Sequence, residues 1–117
     1  MILENRELIF PEKVLRYALL SQCLAEGIDV PNSKIQDIIL IDPVTKHGSP
    51  KVHLEFMTAD SKKPYVVPLS EQFVLTAMIL VCQDLGVPLP RSGEKTLRLT
   101  ESGLAMAISM QVKTPGM

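Results

Sequence analysis

Four residues of this 117-residue chain belong to the types that most readily do chemistry: Cys23, Cys82, His47 and His53. A nucleophilic or redox-active thiol needs a depressed pKa, usually from a helix N-terminus or an adjacent His or Lys. Both cysteines instead fall in the last turn of an expected helix, where the negative end of the dipole opposes a thiolate. Each sits in the string Cys-x-x-x-Gly-[Ile/Val], so packing against Ile28 and Val87 is the expected role. The histidines have no Cys or His at the helical interval a metal site needs, and there is no Cys-x-x-Cys. No metal, no cofactor and no catalytic residue is therefore expected.

Paired carboxylates offer no better start. Asp37 and Asp42 flank an apolar run, and neither Glu55 nor Glu71 has a partner identifiable by spacing. Gly48 and Gly93 stand alone, without a phosphate-cradling pattern. What remains is a set of candidate partner-binding residues. Asn32 and Arg91 lie in equivalent exit loops after the two helices, and His47 lies in a loop beside Gly48. His53 and Arg98 belong to outward faces of strands. A small-molecule site or minor enzymatic centre built from the loops of His47, Asn32 and Arg91 is the alternative to a protein-docking surface.

The elements that must position these residues are organised around two apolar helices. Ser70 is a good N-cap with Glu71 at the positive dipole end, and Gly86 followed by Pro88 and Pro90 is a good stop. Only Gln72, Thr76 and Gln83 form a polar stripe on that helix; the rest of its circumference is almost wholly apolar. A first helix from Pro11 to Glu26 ends at Gly27 by the same device. Sliding the chain along itself by 59 residues aligns Glu12 with Glu71, Ala18 with Ala77, Cys23 with Cys82, Gly27 with Gly86, Pro31 with Pro90 and Ser33 with Ser92. An internal αββ duplication and a shared helix-stop device both account for this echo.

Between and after the helices the pattern is that of strands. Residues 34–42 contain the run Ile38-Ile39-Leu40-Ile41, which predicts a strand buried on both faces. Val52, Leu54 and Phe56 alternate with Lys51, His53 and Glu55, the pattern of a strand with one wet face. Tyr65-Val66-Val67 returns as a third strand. Thr96 to Thr100 and Leu104 to Met110 form a hairpin across Glu101-Ser102-Gly103, with the small residues Ala105, Ala107 and Ser109 pointing outward. The expectation is a single two-layer α+β domain over residues 1–117, in the order α-β-β-β-α-β-β. Two helices should cover one face of a mainly antiparallel sheet of about five strands. Residues 1–9 lack a clear period and are expected as a short strand or an N-terminal arm, and 111–117 as a flexible tail. This order resembles that of the small dimeric chaperones of secretion systems, a likeness of element order alone.

Composition narrows the function classes. Net charge is −1 with acids and bases interspersed, tryptophan is absent, and no basic block offers a footprint for nucleic acid. The helices are too short to span a bilayer, and the first residues carry acids where a signal peptide needs bases. Two cysteines suit a reducing compartment, so a cytoplasmic location is expected. Two helices that are apolar nearly all round predict that a second copy covers part of them. The reading is a non-enzymatic interaction or adaptor module, homodimeric, with another protein as a further partner.

Overall fold

The computed structural model describes residues 2–31, 34–45, 48–57 and 63–112. It is an α+β protein of six strands and two helices: β1 (Ile2–Phe10), α1 (Glu12–Ala25), β2 (Asp37–Ile41), β3 (Lys51–Phe56), β4 (Tyr65–Leu69), α2 (Glu71–Asp84), β5 (Glu94–Thr100) and β6 (Gly103–Val112). All strand pairs are antiparallel, in two three-stranded sheets ordered β1-β6-β5 and β2-β3-β4.

Of the two readings of residues 1–9, a short strand or an arm, the structure has the strand: β1 is paired along its length with β6 from Ile2↔Val112 to Phe10↔Leu104. Its alternation is hard to see because the outer end is exposed on both faces. Other expectations are corrected here. The single sheet of about five strands is two sheets, so the helices have no one common face to lie on. The apolar run Ile38–Ile41 is an edge strand and only partly buried; the central strand is β3, whose Val52, Leu54 and Phe56 are buried. β6 also runs through Gln111 and Val112, so that part of the expected tail is strand, and 113–117 lie outside the described residues.

The helices form where capping and apolar spacing place them. The Ser70 hydroxyl accepts from the Phe73 N–H at 3.1 Å, filling one of the orphan donors of the first turn. At the C-termini, Ile28 N–H donates to Cys23 O and Val87 N–H to Cys82 O, both at 2.8 Å, while Gly27 and Gly86 donate to Leu24 O and Gln83 O, both at 3.2 Å. Gly27 at φ 73° and Gly86 at φ 72° supply the left-handed residue this stop requires. Both cysteines are buried in the core.

α1 and α2 pack on each other, and α2 also reaches β5 of one sheet and β3 of the other. One core results. Leu15, Leu19 and Cys23 of α1 and Val74, Met78 and Val81 of α2 join Val52, Leu54 and Phe56 of one sheet and Leu104, Met106 and Ile108 of the other. Each sheet takes its first-born strand from one half of the chain and its hairpin from the other: β1 pairs with the β5–β6 hairpin, and β4 pairs with the β2–β3 hairpin.

Candidate functional site

The register of β1-β6-β5 sets three rows across its outer face: Asn5–Ser109–Glu94, Glu7–Ala107–Thr96 and Ile9–Ala105–Arg98. Because β6 contributes only Ala105, Ala107 and Ser109 to these rows, the middle of the face is low and its sides stand up. The result is an open hollow of about 380 Å³ walled by Asn5 and Glu7 on one side and Glu94, Thr96 and Arg98 on the other. Arg98 Nη1 lies 3.5 Å from Glu7 Oε2 across the trough. Both groups are well solvated, so this ion pair contributes at most about 0.2–1 kcal/mol. Sequence reading found Arg98 and the small residues. It missed Asn5 and Glu7, since their wall exists only once residues 2–10 are a strand.

His53 lies on the other sheet. It sits at the centre of β3, opposite Ile39 on β2 and Pro68 on β4. It lies on the outward face expected of its strand and is half-buried there. The strand alternation gives its face Ile39, Ile41, Val66 and Pro68 beside Lys51 and Glu55. Ile41 and Val66 are 37% and 47% exposed, so this face is apolar and open. The signal was the β2 run: four consecutive apolar residues on an edge strand must put every second one on the outer face.

Arg91 occupies the exit from α2, exposed, at the rim of a hollow of about 430 Å³ that also involves Ile79, Gln83, Pro88, Leu89 and Lys95. Asn32 and His47 lie outside the described residues. The candidate residues are thus not gathered into one site: Arg98 lines one hollow, Arg91 another, and His53 belongs to a different sheet.

Burial raises the pKa of Cys23, with the charge of Glu26 adding to it, and burial alone raises that of Cys82. Both therefore stay protonated at neutral pH and make poor nucleophiles. Among the described residues no group of three or more His, Cys, Asp or Glu could hold a metal ion. No described helix is long and apolar enough to cross a membrane.

Glu71, which the sequence left without a partner, and Glu12 act as internal ties. Glu71 Oε2 accepts from Ser49 Oγ and from the Leu97 N–H at 3.4 Å, linking the α2 N-terminus to the approach to β3 and to β5. Glu12 Oε1 accepts from Arg16 at 2.8 Å, and the same guanidinium donates to Ile35 O. Neither carboxylate faces another acid in a way that would support general acid–base work. Comparison with protein-family models, with curated proteins and with solved structures finds no match to this chain.

Proposed function

We propose that this protein is a non-enzymatic interaction or adaptor module that acts as a homodimer and docks a second protein. The observation that carries the reading is the outer face of β2-β3-β4, where exposed Ile41, Val66 and Pro68 and partly exposed Ile39 lie on the edge strands beside His53. Exposed apolar side chains on the two edge strands flank the polar column Lys51, His53 and Glu55 of the central strand, and such a mixed apolar and polar surface is the character of a non-obligate protein-docking face. A cytoplasmic location belongs to the same proposal and is supported by the two free thiols.

An internal duplication is also part of the proposal, with a β-α-β-β unit in place of αββ. It is supported by helices of equal length displaced by the same 59 residues as the echo, by identical stops, and by Leu40 and Leu99 lying at the same step of their sheets.

The test is capture from lysate with the tagged wild type and with Ile39→Glu/Val66→Glu. Proteins retained by the wild type and lost by the variant support the docking face. An unchanged set overturns it. Light scattering at micromolar concentration tests the dimer, and a monomer mass would remove that half of the reading.

A further inference from the structure

The two sheets present four edges, and three of them carry the features by which natural proteins discourage strand addition. β4 contains Pro68, which has no N–H to offer. β5 carries Lys95 and Arg98, and β2 is only 5 residues long. β1 also carries charges, at Glu4, Arg6 and Glu7, but they are of both signs, and the strand is neither short nor interrupted by proline. It is 9 residues long, free of proline, lysine and glycine, pairs among the described residues with β6 on one side only, and exposes Ile2 by 60% and Leu3 by 68%.

We propose that β1 is the dimerisation strand: its free edge pairs antiparallel with β1 of a second copy about a twofold axis at Asn5, making one sheet of order β5-β6-β1-β1-β6-β5. The proposal rests on the homodimer reading above and names its interface.

The register follows from charge. Residues directly opposite one another in antiparallel strands share a face, so a twofold axis normal to the sheet must place one residue opposite its own image. Centring on Glu4, Arg6 or Glu7 sets like charges face to face, which is destabilising. Centring on Asn5 sets a neutral amide against itself and places Glu4 opposite Arg6 twice, Ile2 opposite Leu8 and Leu3 opposite Glu7. The self-complementary string Ile2-Leu3-Glu4-Asn5-Arg6-Glu7-Leu8 is therefore paired by opposite charge at its centre and by apolar contact at its ends.

A second feature agrees with this register. Beside the C-terminal half of β1 lies an apolar hollow of about 270 Å³ whose wall includes Leu8, Phe10, Val14, Cys82, Leu85 and Val87. Leu85 is 64% exposed there. Pairing about Asn5 brings Ile2 of the second copy opposite Leu8, at the mouth of this hollow.

Charge reversal with rescue tests the proposal by sedimentation equilibrium. Glu4→Arg and Arg6→Glu each turn two attractive pairs into repulsive ones and should weaken dimerisation by about ten- to thirty-fold. The double variant Glu4→Arg/Arg6→Glu restores opposite charges and should recover wild-type affinity. In parallel, mild oxidation of Asn5→Cys should give a disulfide-linked dimer while Arg6→Cys should not, a readout that stands even where a charge variant folds poorly. A wild-type dimer indifferent to both charge reversals, or an Asn5→Cys variant that stays uncrosslinked, overturns the β1 interface and leaves the homodimer reading intact. A monomeric wild type overturns both.

Discussion

Gly27 and Gly86 allow a test in which the chain supplies its own control. Their φ angles are 73° and 72°, and a Cβ built on either would meet nothing within 4 Å. A side chain at either position therefore costs only what the left-handed backbone costs, with no contribution from crowding. For an L-residue that cost is about 1–2 kcal/mol, and a β-branched one stands at the upper end. Gly27→Val and Gly86→Val should each destabilise by about 1–2 kcal/mol. Each should lower Tm by roughly 4–10 °C in a domain of this size. Gly→Asn at the same positions should cost clearly less, because asparagine tolerates this region. Urea unfolding followed by far-UV circular dichroism gives both free energies. Equal losses at the two positions are expected because the 2.8 Å Schellman bonds are matched. A silent valine at either position would refute the helix-stop assignment. A difference beyond about 1 kcal/mol would show that something other than backbone strain operates at one of them.

Gln22 is buried, and among the described residues its Oε1 has no hydrogen-bond partner, although its Nε2 donates to Glu26 at 3.0 Å. Since an unsatisfied buried polar group costs about 1–3 kcal/mol, Gln22→Met should raise the urea midpoint, and a lower midpoint would show that the amide is satisfied in solution. The thiols make a pH prediction. Burial holds their folded pKa values above the ordinary thiol range, so their contribution is complete at lower pH and is lost as pH rises through the folded values. Stability should then fall above about pH 9 in the wild type and fall less in Cys23→Ala/Cys82→Ala, and superimposable alkaline limbs would contradict this. Because each sheet takes strands from both halves, a chain cut within residues 58–62 should yield fragments that are unfolded alone and recover helical and sheet signal on mixing. A fragment that folds by itself would contradict the exchanged pairing.

The legible parts of the fold were those written in local chemistry. Ser70, Gly27 and Gly86 mark helix ends through bonds that span a few residues. Val52, Leu54 and Phe56 alternate because one face of β3 is buried. The β5–β6 turn lies at Glu101-Ser102, as expected from its composition. What was misread depended on which strands meet across long separations. Ile38–Ile41 reads as a central strand by composition, yet its position at an edge is decided by β4 taking the other side of β3. Residues 1–9 read equally as a short strand or an arm, because the partner that makes them β1 is β6, nearly the whole chain away.

The same nonlocality explains why the candidate site was only partly legible. Arg98 and His53 were found because strand alternation points them outward, a property readable from either strand alone. The wall formed by Asn5 and Glu7, and the apolar company of His53, come from strands that reach their neighbours only through the exchange between halves. That exchange also creates the edge at issue. In each half the leading strand leaves its own hairpin and pairs with the other half's, and each sheet then ends on a leading strand. On β4 that strand carries Pro68 and spans 5 residues; on β1 it spans 9 and has no proline. Two equivalent positions in one topology therefore differ in whether they invite a further strand, and the difference lies in residues 2–8. With β1 paired to its own copy, the chain uses one topological device twice: once between its halves, and once between copies.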